Sequence, residues 1–237
     1  MDLKETIILG ASIESHWYYK AKADAMKEVL GKARVSKVLD VGAGSAFFSK
    51  YLLKHHIIKE ACCVDTSYTP DDLYCNAHEK IQYKRDIKRS DADLVLLMDV
   101  LEHVDNDLEF LTRYIEKVPI GTLFLITVPA FQFLWSDHDI FLEHRRRYSS
   151  NRLKILVNRS ELQILSMNYF FGLVFPIACL TRIANKLLSR GNTARSQLKI
   201  HTPLINSLLA TLCKLEIPLF RYNRIAGLTI FCLAIKR

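Results

Sequence analysis

Five short apolar runs rich in β-forming residues punctuate the first half of the chain: Val38 to Val41, Ala61 to Asp65, Ile81 to Lys84, Leu94 to Met98 and Leu123 to Val128. Helical patterns separate them, and that alternation predicts a parallel sheet with helices on its faces. A leading helix is expected over Glu14 to Leu30, with Gly31 placed to stop it. Asn106 or Asp105 can cap a helix through Lys117, and Ser149 or Ser150 one through Asn158. Leu162 to Tyr169 reads as a sixth strand and Gly227 to Ile235 as the last. About fifty residues lie between these two strands, too many for a plain connection. Within them Leu173 to Arg190 and Leu204 to Leu215 both place polar residues on one helical face and apolar residues elsewhere. The longest apolar stretch, Tyr169 to Leu180, is interrupted by Gly172 and Pro176. It falls short of the roughly twenty residues needed to span a bilayer, so no crossing is expected. Ser189 to Pro203 is polar, basic and free of acids, which predicts a mobile loop.

The chemistry sits in the turns that follow the strands. Lys37 to Lys50 reads as a strand, a glycine turn preceded by an acid, and an amphipathic helix. Gly42 and Gly44 allow close approach of the backbone to a ligand, in dihedrals that a Cβ disfavours. Asp65 ends the next strand, one βαβ unit later, where a carboxylate can accept bonds from both hydroxyls of a ribose. Asp40 is the discriminating residue. An acid beside a pyrophosphate is repelled, whereas an acid beside a sulfonium and a primary ammonium is attracted, so the expected cofactor is cationic.

These residues resemble the signature of class I S-adenosylmethionine-dependent methyltransferases, an acid followed by three alternate glycines; Asp40, Gly42 and Gly44 match it, and Ala46 stands at the third glycine. The resemblance continues at Asp86-Ile87, in the run Asp99-Val-Leu-Glu102-His103, and in the fifth strand. It implies a Rossmann-like α/β fold of seven strands, the last antiparallel, with a helical insertion between the sixth and seventh. It also implies that Asp40, Gly42, Gly44, Asp65, Thr66, Asp86, Ile87 and Asp99 line an S-adenosylmethionine pocket. Asp86 and Ile87 would lie near the adenine and Asp99 at the methionine end, though Asp99 could equally lead into the next loop. The expected division is a methyltransferase core over 1–171, the insertion over 172–222, and a final core strand over 223–237.

The loop after the fifth strand combines Phe131, Phe133, Trp135 and Phe141 with His138, Asp139, His144 and three successive arginines. Bacterial methyltransferases acting on small or lipid-linked acceptors carry a similar run, which implies an acceptor site with Trp135, His103 and Arg147 against the substrate. His138 and His144 are the candidate bases, because neutral imidazole can take a hydroxyl proton near pH 7. Against this, Asp139 could pair with Arg145 or Arg147 to brace the loop. Glu102 and His103 could anchor the following helix, serve catalysis or ligate a metal; no metal is assigned. His16, Trp17, Tyr18 and Tyr19 either close over the cofactor or pack the leading helix.

Composition bounds the rest. A chain of 237 residues, 50% hydrophobic, suffices for one α/β domain with an insertion. Its six cysteines show no metal-ligand spacing, which favours reduced thiols and a cytoplasmic setting. The first ten residues lack a secretory pattern. Net charge is +8, yet from Leu162 onward ten Lys or Arg face the single acid Glu216. The basicity thus belongs to the C-terminal third. The expected function is methyl transfer to a small or lipid-linked acceptor at oxygen, with the enzyme peripheral to an anionic membrane. The alternatives are an RNA methyltransferase and a catalytically inactive membrane-associated binding protein. Nucleic acid is the less expected partner, because the tail is aliphatic where an RNA surface would interleave aromatics.

Overall fold

A computed structural model describes residues 8–31, 33–69, 80–188 and 202–237; the expected loop over Ser189 to Pro203 falls almost wholly outside them. Strands β1 (Lys37–Val41), β2 (Glu60–Val64), β3 (Ile81–Lys84), β4 (Leu94–Met98), β5 (Leu123–Pro129), β6 (Leu162–Phe170) and β7 (Thr229–Lys236) form one sheet in the order β3-β2-β1-β4-β5-β7-β6. The first five are parallel, and β7 lies antiparallel between β5 and β6. Each expected strand is present to within two residues at either end. The β4 run Leu-Val-Leu-Leu-Met is buried throughout, as a strand covered on both faces must be.

One face of the sheet is covered by α1 (Trp17–Leu30) and α2 (Phe47–Lys54), and the other by α3 (Asp107–Glu116) and α5 (Ser150–Arg159), with the short helix α4 (Asp137–Phe141) in the loop after β5. Local chemistry sets the helix ends. Gly31 closes α1 at a positive φ of 51°, the Asn106 side chain accepts from Glu109 N to start α3, and Ser149 accepts from Arg152 N to start α5.

The insertion forms α6 (Phe175–Leu188) and α7 (Pro203–Phe220). Sequence pattern ends the second helix near Leu215, but α7 continues through Pro218, because Phe220 packs 5.0 Å from Phe170 and 5.2 Å from Phe231. This helix lies along the leading helix. Trp17 N donates to Asn206 Oδ1 at 2.9 Å, and Asn206 Nδ2 donates to Ser15 O at 3.0 Å. Glu216, the lone acid of the tail, is buried and accepts from Gly172 N at 2.7 Å and Leu173 N at 3.2 Å. By length and composition α7 could cross a bilayer, a possibility that counting uninterrupted apolar residues overlooks. Leu173, Ile177, Leu180, Leu204, Leu208, Leu215 and Leu219 are all exposed on the two helices and their approach. The two ends of the insertion meet tightly: a Cβ on Gly227 would stand 2.3 Å from Phe170 O.

Candidate active site

At the carboxyl ends of the parallel strands, Gly42 and Gly44 turn with φ of 65° and 54°. Gly42 N donates to Val64 O at 2.7 Å, and a Cβ on Gly42 would come within 2.8 Å of Val100, so glycine is required there twice over. Ala46 holds the left-handed conformation at the start of α2 with φ 59°, where the family signature has glycine. Asp65 joins the two strand ends: Oδ2 accepts from Gly44 N at 2.9 Å, and Oδ1 accepts from Ser67 N at 3.0 Å and Ser67 Oγ at 2.5 Å. Thr66, beside it, is exposed and its carbonyl accepts from the Arg85 guanidinium.

Asp40 requires a correction. The Ser49 hydroxyl donates to its buried carboxylate at 2.7 Å and ties β1 to α2, so a partner within the protein accounts for the acid and its charge alone does not require a cationic ligand. Burial pushes the Asp40 carboxyl up to about 6. Asp86 also has a partner within the protein. Its exposed carboxylate pairs with Lys117 Nζ at 2.9 Å, which holds it below the ordinary range, so Lys117 competes for it with any adenine contact. Ile87 is buried in the core.

Asp99 lies just past β4 with φ 55° and takes a bond from Thr127 Oγ1 at 3.0 Å. Its partner was not foreseen. Lys22 of α1 is fully buried and forms an ion pair with Asp99, while also donating to Tyr18 Oη at 3.3 Å. Burial pushes the Asp99 carboxyl up and the Lys22 ammonium reverses the effect, leaving it below the ordinary value. A signal existed: Lys22 stands four residues after Tyr18, on the face that also carries the aromatic cluster. Tyr18 stacks on Phe171 at 5.1 Å, and His16, Trp17 and Tyr19 are buried, so these aromatics pack the leading helix onto the sheet.

The loop after β5 is built on Asp139. Its carboxylate accepts from Arg147 Nε at 2.7 Å and Nη2 at 3.0 Å, from Ser136 N at 2.9 Å, and meets His144 Nδ1 at 2.9 Å. Arg147 also donates to Ala130 O at 3.1 Å and is buried. Its expected role against a substrate is therefore corrected to a brace. The other two arginines are braces as well. Arg145 Nε donates to His103 O, and Arg146 Nη2 donates to Val104 O and Asp105 O. Trp135 is half-buried.

The stitching brings His103 against His144, ring centroids 4.8 Å apart, with Glu102 beside them. Glu102 is fully buried, and burial pushes its carboxyl well above the ordinary range. Burial also pushes the His103 and His138 imidazoles down to about 4 each, so both are neutral at pH 7 and weakly basic. Arg182 of α6 donates to Leu134 O at 2.5 Å, and Phe175 packs 5.6 Å from Phe131. The insertion and the loop are thus one structure.

A mostly parallel sheet with a reversed seventh strand and a glycine turn at its carboxyl edge defines a Rossmann-like α/β architecture. Residues 15–167 match the model of a family described as Methyltransferase domain, and the chain belongs to that family. The fold is similar to that of a SAM-dependent methyltransferase from Archaeoglobus fulgidus, with 16% identity, 92% of this chain and 94% of that chain covered, and a TM-score of 0.55. It is also similar to an S-adenosylmethionine-dependent methyltransferase from Clostridium acetobutylicum, with 12% identity, 92% of each chain covered, and a TM-score of 0.54. No curated protein matches the chain in sequence. Family and fold make this an S-adenosylmethionine-dependent methyltransferase of class I.

Proposed function

We propose that the methyl group is delivered to a hydroxyl of a small or lipid-linked acceptor, with the enzyme docked on an anionic membrane at the cytoplasmic face. In this reading Gly42 and Gly44 let the backbone approach the cofactor, and Asp65, already held by Gly44 and Ser67, keeps lone pairs for the ribose. Asp99 and Lys22 face the amino-acid end, where a zwitterion presents both signs of charge. S-adenosylmethionine supplies a methyl group already activated on a sulfonium. The chain must align the acceptor oxygen with it, exclude water and provide for the hydroxyl proton. With the cofactor bound, an acceptor oxygen held in line would take the methyl group as the C–S bond breaks with its electrons left on sulfur, and the hydroxyl proton would have to pass to a residue of this chain. His138 and His144 are the candidates to take that proton or to hold the oxygen as it departs; His144 is the better oriented, through Asp139.

The observation that carries the acceptor class is the continuity of the loop after β5 with the helix pair. Phe131, Phe133 and Phe175 pack together, and exposed Ile177 and Leu180 continue that apolar surface along α6. Exposed Lys214, Arg221 and Arg224 flank the apolar positions of α7 and its end. Each basic residue near an anionic membrane contributes about 1 kcal/mol of attraction. The test is methyl-labelled S-adenosylmethionine offered with anionic vesicles loaded with lipid and quinone extract, beside a parallel reaction with RNA. Label in the organic phase, and flotation of the protein with vesicles at low but not high salt, is expected. Label in RNA, or no flotation at low salt, would exclude the membrane reading.

A further inference from the structure

We propose that Glu102, His103 and His144 bind a divalent first-row transition metal of zinc-like preference, whose open positions take an oxygen of the methyl acceptor. Glu102 and His103 come from the segment after β4 and His144 from the loop after β5, and their donor atoms lie within 4.8 Å of one another. Two ligands bonded to tetrahedral zinc at about 2.1 Å stand about 3.4 Å apart, so side-chain movements of up to about 1.4 Å close the cage. Such a shift is small for three side chains on loops.

One feature points to a cation, and the network around Asp139 presents the remaining ligand to it. Glu102 is fully buried and neither of its carboxylate oxygens has a hydrogen-bond partner among the described residues. A buried carboxylate without partners is costly unless a cation compensates it. His144 uses Nδ1 toward Asp139 at 2.9 Å, which leaves Nε2 as its ligand atom; with that nitrogen on the metal, His138 is the residue left to receive the acceptor proton. That is the carboxylate–histidine arrangement that orients metal-bound imidazoles and raises their basicity. Finally, Asp139 is itself fixed by Arg147 and Ser136, and Arg145 N donates to Glu102 O at 2.7 Å. The loop thereby holds His144 in register with the Glu102–His103 pair.

Two imidazoles and one carboxylate favour zinc, cobalt or nickel over magnesium, which prefers oxygen ligands. Three protein ligands also leave coordination positions open, the pattern of a site that engages substrate. Asp99, three residues before Glu102, is already paired with Lys22 and is not needed as a ligand. The acceptor part of the proposal rests on the methyl-transfer reading; the metal part does not.

The test is isothermal titration of the full, chelator-treated protein with Co²⁺, Zn²⁺ and Mg²⁺, together with the visible absorption of the Co²⁺ form. One Co²⁺ or Zn²⁺ per chain is expected, with Mg²⁺ silent. His144→Ala and Glu102→Gln should each weaken Co²⁺ binding at least tenfold, and Asp139→Asn, which acts through His144, by about 10–100-fold. Because the Asp139 variant could unfold, His103→Gln is the companion whose Co²⁺ spectrum must also change. S-adenosylmethionine titrations run alongside report separately on the methyltransferase reading and should be unaltered in His144→Ala. A wild-type protein that binds S-adenosylmethionine but takes up no metal overturns the proposal, as does His144→Ala with wild-type Co²⁺ affinity.

Discussion

In the proposed reading, the donor and acceptor sides of the pocket are made from different materials. The donor side is backbone: glycines at positive φ, strand ends, and Asp65, which receives two main-chain N–H groups. The acceptor side is side chain upon side chain, with Asp139 gathering Arg147, Ser136 and His144, and the flanking arginines gathering carbonyls from the segment after β4. Backbone geometry leaves local traces in a sequence, whereas a network of charges can be wired in several ways by the same residues. The donor side should accordingly fail in affinity when mutated, and the acceptor side in stability.

The strongest test of that contrast is Arg147→Ala. It leaves the Asp139 carboxylate buried without its bidentate partner, and an unfolding free energy lower by about 3–5 kcal/mol is expected in chemical denaturation. A loss below about 1 kcal/mol would show that solvent or His144 replaces the guanidinium and that the brace is dispensable.

Next in size is the pH response of Asp40. Its folded pKa of about 6 lies above the ordinary 3.8, so the folded protein holds the proton more tightly. The stability this confers is complete below the unfolded value and is lost as pH rises through about 6, a change of about 3 kcal/mol. Asp40→Asn should remove that slope. An Asn variant that keeps the wild-type slope would assign it to another group.

Asp65→Ala should weaken S-adenosylmethionine binding by about 1.5–3 kcal/mol while the protein stays folded. Equal dissociation constants in titration calorimetry would remove Asp65 from the donor side. The smallest effect is expected at Ala46, held at φ 59°. Replacement by glycine relieves about 1 kcal/mol of left-handed strain, offset in part by the greater freedom of glycine when unfolded. A small rise in melting temperature is the measurable outcome, and a fall would mean that the methyl group packs better than the dihedral costs.

The fold was largely legible because strand runs, caps and Gly31 act locally. The end of α7 was not, since it is set by Phe170 and Phe231, far away in the chain. In the site, the glycine turn and Asp65 lie where their spacing predicts. Arg147 is buried against Asp139, and Asp86, though exposed, is paired with Lys117, through contacts that no local pattern encodes. Lys22 escaped notice for a related reason: an isolated lysine on a helix reads as solvated, and its burial depends on Asp99, 77 residues later.

The pinched neck at Phe170 and Gly227 makes the helical pair a separable module. β6 runs parallel to β5, so the chain leaves the sheet at the ligand-binding edge and returns there within a van der Waals contact. Whatever is spliced between those two points hangs over the acceptor opening while the register of β6 on β7 stays fixed. A helical pair of another length or sequence could be carried between those two points without disturbing the sheet that presents the glycine turn.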